Sequence, residues 1–579
     1  MVNYEPMSDA IDLLRSVRNT TDDTEFYTPL PEGYRTGRTK YVCVFGTVMS
    51  GLGKGIFASS LAKLLKDKGL KVSPIKLEGY LNMDSGTLNP YRHGEVFVLD
   101  DGMETDMDLG TYERMLDQDL TRDNFATSGQ IYSKVLERER QGGYLGRDVQ
   151  MIPHVTGEVK FRLRELAMRT DADVVIVEVG GTVGDIENAF YIEALRELSY
   201  EEGKGNVQFT ALTYVMSPPA LGEQKSKPAQ LGIKRLMEHG IHPDLIACRA
   251  IEEVAEKVRQ KISLYTNVPL KRVFSMHDLP SIYLLPTIMR NAGLDSEIID
   301  ILGLTDRTNS TQDAQNAERW LGFASKIGHE KHKVKIGVTG KYVALRDSYA
   351  SIIKALEHAG VANETEVEIV WIETSDVNRE NVADILSQVD GIIVPGGFGT
   401  RGTDGKILCI NYARENKLPY LGICLGFQMA VIEYARNVCK LENANSTEMD
   451  PDASQPVISV LPDQKEIEGL GGNMRLGGQD VQIKPGTIAY KMFGNQENVR
   501  ERFRHRYEVD PDFIETLEDK GLIFSGRHPV HPIMQILELP REQHPYFVAA
   551  QFHPELTSRP LRPQPMFVGL VEAALKRHL

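Results

Sequence analysis

Residues 40–67 read KYVCVFGTVMSGLGKGIFASSLAKLLKD, and this stretch decides the fold of the first half of the chain. The apolar run YVCVF is typical of a buried strand, and a glycine-rich turn follows it directly. An amphipathic helix comes next, with an apolar face formed by Phe57, Leu61, Leu64 and Leu65. Strand, turn and helix in this order open a βαβ unit, the building block of parallel α/β sheets.

Further short apolar runs alternate with helical stretches after this unit. They read VVIVEV (174–179), FTALTYV (209–215) and LIAC (245–248). Runs that are apolar throughout predict strands buried on both faces of a parallel sheet. We expect this first domain to end near Gly303, because the polar residues 304–332 interrupt the alternation and indicate a connector with one short helix.

A second series of strands and helices follows the connector. Its strand-like runs are VKIGV (334–338), VEIVWI (367–372), GIIVP (391–395) and LPYLGI (418–423). Helical periodicity lies between them, so the predicted fold class is α/β with two open sheets in tandem. The predicted parts are an N-terminal extension at 1–38, a first domain at 39–303, a linker at 304–332 and a second domain at 333–579.

The extension differs from the rest of the chain. It is a loose stretch with one predicted short helix, whose apolar face carries Ala10, Ile11, Leu13, Leu14 and Val17. We interpret it as an appendage that packs on a neighbouring subunit.

Composition limits the class of protein. The chain has 579 residues, of which 41% are hydrophobic and 25% are charged, and these proportions suit several ordinary globular domains. The formal net charge of −15 opposes nonspecific attraction to nucleic acid or anionic lipid. Five cysteines are too widely spaced for a disulfide framework or a CxxC metal site. No apolar run approaches the ~20 residues that cross a bilayer, and no secretory signal pattern opens the chain. We therefore expect a cytoplasmic protein without nucleic-acid or membrane partners.

The turn GTVMSGLGKG at 46–55 has the chemistry of a phosphate-binding loop. Its N–H groups and the following helix N-terminus can cradle phosphate oxygens, while Lys54 neutralises their charge. The turn departs from the strict P-loop pattern, because Val48 occupies the first glycine position and Gly55 replaces the hydroxyl residue that would contact Mg²⁺. Metal ligands are therefore expected elsewhere in the chain.

Acidic side chains near predicted strand ends are candidates for those ligands. They are Asp106, Asp108 and Glu178. Carboxylates of this kind suit a Mg²⁺ ion that is bridged by phosphates. Lys76 ends another predicted strand, where it can stabilise charge on a phosphoryl group in transfer. Scattered carboxylates at strand ends are usually solvated surface, but their coincidence with the turn and the lysines favours a nucleotide site.

A further polar cluster, GEQKSKPAQ at 222–230, lies where a predicted loop meets a helix. Its two lysines and its glutamines suit a second polyphosphate. A lysine pair is a solvated face more often than a site, so the cluster alone indicates little.

The sequence GICLG at 422–426 places Cys424 between the strand LPYLGI and a helix that starts FQMAVIEY. A cysteine on such a tight strand-to-helix turn has the geometry of a nucleophile elbow. The helix N-terminus and a nearby histidine both favour the thiolate. His553 follows the strand-like run YFVAAQF, and the Glu555 carboxylate can orient its imidazole. The sequence therefore predicts a catalytic triad of Cys424, His553 and Glu555.

A tetrahedral intermediate formed by this thiolate needs hydrogen-bond donors for its oxyanion. The loop 395–399, PGGFG, offers closely spaced N–H groups, and the amide of Leu425 adds another. A buried small hydrophobe is the alternative for a free cysteine. That alternative is favoured for Cys43, Cys248, Cys409 and Cys439.

Together these motifs resemble the CTP synthase family, in which an amidoligase is joined to a class I glutamine amidotransferase, over essentially all of residues 40–579. The resemblance rests on SGLGKG, HGEVFVLDDGMETDMDLG, VEVGGTVGDIE, GEQKSKPAQ, PGGFGTRG, GICLGFQ, NANSTE, RHRYEV and QFHPE. It implies a dethiobiotin-synthetase-like P-loop sheet followed by a class I glutamine amidotransferase sheet. It also implies that ATP phosphorylates the uracil 4-oxygen of UTP and that ammonia from glutamine then displaces phosphate to give CTP.

The resemblance assigns roles to residues at matching positions. For ATP these are Ser50, Gly51, Leu52, Gly53, Lys54, Gly55, Ile56, Lys76 and Asp108, with Asp108 and Glu178 holding Mg²⁺. For UTP, and for CTP as feedback inhibitor, they are Ser50, Asp185, Ile186, Glu187, Lys225, Lys227, Gln230 and Lys261. For glutamine they are Gly397, Leu425, Gln428, Glu448 and Arg506. Arg506 suits the α-carboxylate of glutamine, and Glu448 suits its α-ammonium group.

Regulation and assembly are also implied by the resemblance. GTP is expected as an allosteric activator that acts near Arg401 and the loop GGNMRLG at 471–477. A homotetramer, with filaments as a further assembly, is the expected quaternary structure.

The sequence departs from the family pattern at several loop positions. They are Thr47, Glu78–Gly79, Ser85, Thr111 and Thr400. Most lie in binding loops rather than among the charged catalytic positions. We expect altered nucleotide affinity or effector response with the chemistry retained, and Thr400 bears on GTP activation.

Alternative interpretations remain open on the sequence. Another amidoligase with a fused glutaminase is one, although GEQKSKPAQ and GTVGDIE argue against it. A structural scaffold is another, and the Cys424, His553 and Glu555 set disfavours it. Alternating arginines suggest a nucleic-acid patch; they are Arg500, Arg502, Arg504 and Arg506. The interspersed Glu501 and Glu508 and the acidic total weaken that third alternative.

Overall fold

The structure is a computed structural model that describes residues 29–218, 222–341, 345–460 and 474–578. The chain divides into two compact units. The first contains the chain up to Asp84 together with Arg122–Arg319, and the second contains Ser85–Thr121 together with the chain from Trp320 onward. The predicted helix around residues 10–17 lies outside the described residues.

A parallel sheet forms the centre of the first unit. From edge to edge its strands are Phe125–Thr127, Val72–Glu78, Val174–Val179, Lys40–Gly46, Val207–Tyr214, Leu245–Ala250 and Val273–His277. Neighbouring strands pair in parallel across this sheet. Strand Val174–Val179 is buried at every position, as a sheet covered on both faces requires. The predicted parallel sheet is confirmed.

Helices cover this sheet. They are Lys54–Asp67, Ser128–Arg140, Thr156–Arg169, Ala189–Glu202, Lys227–Glu238, Glu256–Thr266, Leu285–Asn291 and Leu294–Leu302. The first has the predicted apolar face, since Phe57, Leu61, Leu64 and Leu65 are all buried. Residues just before the first strand contact this unit too: the Tyr34 hydroxyl lies 2.8 Å from the Tyr41 hydroxyl.

The second unit has a mixed sheet. From edge to edge its strands are Thr365–Glu373, His332–Gly340, Gly391–Val394, Tyr420–Ile423, Phe547–Ala550, Met534–Glu538, Ile523–Arg527, Arg475–Ile483 and Asn498–His505. The strands up to Phe547–Ala550 pair in parallel, and those beyond it are antiparallel. Smaller sheets join Phe97–Val98 to Glu104–Thr105, and Ala444–Ser446 to Gln455–Ser459 and Glu508–Val509.

The second unit also contains helices. They are Pro90–His93, Met107–Leu116, Ala350–Ala362, Val382–Leu386, Thr403–Glu415, Leu425–Asn437, Ile488–Met492, Ile514–Asp519 and Pro565–His578. Two apolar clusters, one on each side, form the core of this unit. The predicted second α/β sheet is therefore confirmed. No helix in the described ranges is both long and apolar enough to cross a membrane.

The two compact units divide the chain differently from the predicted domains. Residues 85–121 lie between strands of the first sheet in sequence, yet they pack with the second unit. Buried ion pairs account for this: the Glu113 carboxylate lies 2.7 Å from Arg502 and 2.6 Å from Arg559. The connector contains the helix Ser310–Ala324, which is longer than the short helix predicted there.

A buried carboxyl group makes the stability of the second unit depend on pH. Burial, reinforced by the Glu555 carboxylate, raises the pKa of Glu501 from 4.5 to about 7, against hydrogen bonds from Thr557 and Gln564. The folded protein thus binds this proton more tightly than the unfolded chain, so stability is lost as the pH rises from about 4.5 to about 7.

We expect the Glu501→Gln variant to gain stability relative to the wild type as the pH rises from 5 to 8, by up to about 3 kcal/mol. The amide cannot ionise, so the cost of a buried charge disappears. Thermal unfolding midpoints of both proteins across this pH range measure the effect. A difference in midpoint that does not change with pH contradicts the prediction.

Candidate active site of the second unit

Cys424 lies between strand Tyr420–Ile423 and helix Leu425–Asn437. Its φ of 51° is in the left-handed region that residues other than glycine rarely adopt. Glycines flank it because there is no room for side chains: a Cβ at Gly426 would lie 2.0 Å from the Val394 oxygen, and one at Gly422 would lie 2.3 Å from the Tyr420 hydroxyl. The turn therefore has the strained geometry of a nucleophile elbow.

His553 and Glu555 meet Cys424 at this turn. The His553 Nδ1 atom lies 2.7 Å from the Glu555 Oε1 atom. Burial lowers the pKa of His553, but the Glu555 carboxylate and the Cys424 thiolate outweigh burial and hold that pKa well above 6.5. A cationic imidazole next to the sulfur favours the thiolate, which is the nucleophilic form of cysteine.

A cavity of about 430 Å³ opens at Cys424. Its lining has both hydrogen-bonding groups and apolar surface. Residues of the second unit that contribute to it are Gly396, Gly397, Phe398, Glu448, Arg504, Arg506, Tyr507, His553 and Glu555. A small cavity with an acid and a base beside a nucleophile suits an amino acid substrate. The structure thus brings together the triad and three of the predicted glutamine residues, Gly397, Glu448 and Arg506.

The other two predicted glutamine residues, Gln428 and Leu425, are not among the residues that line the cavity. Gln428 donates to the Tyr507 carbonyl at 3.0 Å and to the Gln551 side chain at 3.2 Å. It therefore fixes a residue of the wall and does not line the cavity itself. Leu425 is buried as the first residue of its helix, where its backbone N–H points along the helix N-terminus beside Cys424.

Two lysines that no sequence motif indicated hold the glycine loop 395–399. Lys406 donates to the Pro395 carbonyl at 3.0 Å, and Lys341 donates to the Phe398 carbonyl. Burial, with the Lys341 charge adding to it, lowers the pKa of Lys406 to about 7. The N–H of Gly399 donates to Glu448 at 2.8 Å. These contacts fix the peptide planes of the loop that is expected to supply oxyanion donors.

Gly396 allows the triad to approach this loop. A Cβ at this position would lie 3.0 Å from His553 Cε1 and 3.6 Å from Cys424 Cβ. We expect Gly396→Ala to reduce glutamine hydrolysis by about 10-fold or more, because the displaced imidazole loses alignment with the sulfur. Steady-state glutaminase kinetics measure this. Gly322→Ala is the control, since a Cβ there meets nothing within 4 Å; equal kinetics for the two variants would contradict the prediction.

A stretch from the N-terminal half of the chain completes the cavity. Gly86, Leu88, Pro90, Glu95 and Val96 line it. The Glu95 carboxylate accepts a hydrogen bond from the Ser351 N–H at 2.9 Å, and burial raises its pKa to about 7. Sequence reasoning missed these residues because they lie more than 300 positions from Cys424. The motif HGEVFV at 93–98, which contains Glu95 and Val96, was the available signal.

The candidate phosphate turn lies in the first unit. Val48, Gly51 and Gly53 all have positive φ, near 75°, and Lys54 begins the helix that follows. The Lys54 Nζ atom folds over the turn and donates to the Gly181 carbonyl at 2.7 Å. Ser50 and Gly51 are exposed, whereas Leu52 is buried and Gly55 and Ile56 belong to the first helical turn.

Lys76 and Glu178 meet across neighbouring strands of the first unit. The register pairs them directly, and the Lys76 Nζ atom lies 3.0 Å from Glu178 Oε1 and 3.3 Å from Glu78 Oε1. Both Lys76 and Glu178 are buried. Glu78, one of the departures from the family pattern, thus gives Lys76 a second carboxylate.

The other predicted metal residue is in the second unit. Asp108 lies in the first turn of helix Met107–Leu116, which Asp106 caps by accepting the Asp108 N–H at 3.1 Å. Within the described residues, no group of three or more histidine, cysteine or acidic side chains is arranged to hold a metal ion. Asp108 and Glu178 belong to different units, and the carboxylate of each is the type of ligand that Mg²⁺ takes together with phosphates and water.

The predicted UTP and CTP residues are all in the first unit. Asp185 accepts the Thr182 N–H at 2.7 Å, Ile186 is 85% exposed, and Glu187 follows in the short helix Ile186–Asn188. Lys225 pairs with Glu223, whose carboxylate also interacts electrostatically with Lys261. Lys227 begins a helix, and Gln230 donates to Ser226 at 3.1 Å.

The predicted GTP region is only partly described. Arg401 donates to the Lys341 carbonyl and, at 3.2 Å, to the Tyr91 hydroxyl. Thr400 beside it is exposed, and its carbonyl accepts the Thr403 hydroxyl at 2.8 Å. Residues 471–473 of the loop 471–477 lie outside the described residues, while Met474 lines the cavity at Cys424.

Comparison with known proteins finds a family model that matches each half of the chain. The family model described as CTP synthase N-terminus matches residues 40–304, and that of class-I glutamine amidotransferase matches residues 344–573. A CTP synthase from Thermococcus gammatolerans is 51% identical, and the match covers 93% of this chain and 99% of that protein. The chain belongs to the CTP synthase family. A family member from Clostridium perfringens is 48% identical over the same shares of the two chains.

A solved structure is also similar to part of the chain. It is the glutaminase domain of Trypanosoma brucei CTPS with bound acivicin, at 35% identity and a TM-score of 0.40. The match covers 42% of this chain and 94% of that one. The expectation of a CTP synthase family member with a class I glutamine amidotransferase part is confirmed by the sequence matches.

Proposed function

We propose that the protein makes CTP from UTP, with ATP as phosphoryl donor and glutamine as nitrogen source. The close match to CTP synthases over nearly the whole chain supports this most directly. The cavity that holds Cys424, His553 and Glu555 supports the glutamine part independently.

Glutamine hydrolysis begins with the Cys424 thiolate. The sulfur attacks the side-chain carboxamide carbon, and the carbonyl oxygen becomes an oxyanion stabilised by N–H donors of the 395–399 loop and of Leu425. His553 then gives its proton to the leaving nitrogen, so that ammonia departs and a thioester remains. His553 next takes a proton from water, which attacks the thioester and releases glutamate. Arg506 and Glu448 hold the two charged α-groups of the substrate.

The nucleotide chemistry is assigned to the candidate residues for ATP, Mg²⁺ and UTP. Lys54 and the turn amides bind the ATP phosphates, and Lys76 stabilises charge on the phosphoryl group during transfer to the uracil 4-oxygen. Asp108 and Glu178 would hold Mg²⁺, which neutralises phosphate charge when bound. Lys225, Lys227, Gln230 and Lys261 bind UTP, with Ser50 and residues 185–187. The phosphorylated oxygen is a good leaving group, so ammonia replaces it and yields CTP.

Regulation and assembly extend the proposal. CTP is a feedback inhibitor that shares the UTP residues, and GTP is an activator whose effect Thr400 changes. The assembly is a cytoplasmic homotetramer, with filaments as a further state and without nucleic-acid or membrane partners.

Turnover with ATP, glutamine and UTP tests the function. CTP formation is followed by absorbance, and each substrate is left out in turn. Ammonium chloride replaces glutamine in a parallel reaction. UTP that remains unchanged under all conditions, while glutamine is still hydrolysed, rejects CTP synthesis and favours an amidoligase with another acceptor.

A further inference from the structure

Alternating arginines on strand Asn498–His505 face a row of carboxylates within the second unit. Residues two apart on a strand share a face, so Arg500, Arg502 and Arg504 point the same way. Arg500 pairs with Asp100 at 2.9 Å, Arg502 with Glu113 at 2.7 Å, and Arg504 with Glu104 at 2.7 Å. We call these three pairs the arginine ladder. They join the strand to residues 97–121, and they give three of the four alternating arginines a role inside the protein.

Glu113 is the most buried carboxylate of the ladder. Its side chain has no solvent exposure. Its Oε2 atom accepts from Arg502 at 2.7 Å and from Arg559 at 2.6 Å, and its Oε1 atom accepts from Arg502 at 3.1 Å and from the Leu120 N–H at 2.8 Å. Charge-assisted bonds of this number and length hold the carboxylate and both guanidinium groups in one arrangement.

The two arginines that bind Glu113 also hold the catalytic histidine. The Arg502 carbonyl accepts the His553 backbone N–H at 2.8 Å. The Arg559 guanidinium donates to the Leu556 carbonyl at 2.9 Å, at the end of the short helix Pro554–Leu556 that contains Glu555. Both ends of the segment that carries His553 and Glu555 are thus tied to groups that Glu113 fixes.

The same strand also borders the nucleophile. The Arg504 carbonyl lies 3.7 Å from the Cys424 sulfur. A shift of the strand would therefore move groups next to both reacting side chains. Displacements of about 1 Å can cost roughly 100-fold in rate when reacting groups must be aligned.

We propose that Glu113 is a positioning residue for glutamine hydrolysis, which acts through Arg502 and Arg559 to hold His553 in line with Cys424. Without its carboxylate, the buried guanidinium groups of Arg502 and Arg559 share only Asp119, which lies 3.0 Å and 3.1 Å from them and is 64% exposed. One solvent-exposed carboxylate compensates two buried positive charges incompletely, so the two groups would separate or admit water. Strand Asn498–His505 and the segment that carries His553 and Glu555 would then move apart. This inference rests on the proposed role of Cys424 and His553 as the glutaminase pair.

The Glu113→Gln variant tests the inference in the full-length protein. We expect the kcat of glutamine hydrolysis to fall by about 10-fold or more while the KM for glutamine stays within about threefold. We also expect the pH midpoint of kcat for glutamine hydrolysis to move by about half a unit or more, because a displaced His553 loses part of the interaction with Cys424 that raises its pKa. Asp100→Asn is the matched control. It removes a carboxylate of the same ladder, but the partner of Asp100 is Arg500, whose side chain is 52% exposed and therefore stays solvated.

The pH midpoint distinguishes a role of Glu113 in positioning His553 from a role in folding alone. A partly unfolded variant has fewer active sites but leaves the midpoint of the remaining sites unchanged. Arg559→Lys is the second variant, because it keeps a cation near Glu113 but lacks the second guanidinium nitrogen, which contacts the Leu556 carbonyl. It should fold and show the same two changes in weaker form.

Three outcomes overturn the inference. The first is a folded Glu113→Gln or Arg559→Lys protein with wild-type kcat and midpoint, and the second is a loss of kcat with an unchanged midpoint. The third is failure of both variants to fold, which gives Glu113 a folding role alone. A wild-type protein that hydrolyses no glutamine would instead reject the proposed function, so the two failures are distinguishable.

Discussion

Replacing Cys424 with alanine is expected to abolish CTP formation from glutamine and to leave CTP formation from added ammonia at the wild-type rate. Alanine has no atom that can form the thioester, so the glutamine-fed rate should fall by about 10⁴-fold or more. Ammonia supplied in solution bypasses this step. The substitution removes one buried sulfur atom and leaves the backbone turn in place, so the fold should survive.

Parallel assays with glutamine and with ammonium chloride measure this effect, at a pH where part of the ammonium is deprotonated. Cys439→Ala is the matched control, because Cys439 is partly exposed and its sulfur lies 3.7 Å from the Thr516 carbonyl. That variant should retain both activities. A Cys424→Ala protein that still uses glutamine, or a folded one that no longer uses ammonia, would contradict separate chemistries in the two halves of the chain.

Replacing Lys54 with methionine is expected to abolish CTP formation from both nitrogen sources. Methionine keeps much of the length of the side chain but removes the charge that the proposal places on the ATP phosphates. A positioned cation is worth several kcal/mol in phosphoryl transfer, so we expect a loss of about 100-fold or more. The Cys424 site does not contain this lysine, so glutamate release without nucleotides should be unchanged.

Lys66→Met is the control for this second prediction. Lys66 lies in the last turn of the helix that Lys54 begins, so both variants lose a lysine from the same helix. CTP formation should be close to the wild-type rate in this control. Ammonia-fed synthesis within twofold of wild type in Lys54→Met would remove Lys54 from the proposed ATP site.

The local patterns of the sequence were enough to predict both sheets. Apolar runs such as VVIVEV and GIIV are strands in the structure because a parallel sheet buries both faces of its central strands. The turn at Cys424 was equally accessible, since glycines on both sides of a cysteine between a strand and a helix leave few other geometries. His553 and Glu555 were identified as triad candidates because they come directly after a strand-like run.

The packing of residues 85–121 was not accessible from those patterns. Their position between strands of the first sheet favours assignment to the first domain, and short segments there give no sign of a distant partner. Ion pairs such as Glu113 with Arg502 join residues 389 positions apart, and neither periodicity nor local motif encodes such a pairing. The Gly86–Val96 part of the cavity at Cys424 was missed for the same reason.

The sequence by itself determined the α/β fold class, the glycine-rich turn before Lys54 and the reactive position of Cys424, because each depends on residues adjacent in the chain. Tertiary structure alone decided which carboxylates neutralise the alternating arginines and which distant segment closes the cavity at Cys424. Those outcomes depend on the burial of charge, which is tolerable only where folding brings an opposite charge within hydrogen-bond distance.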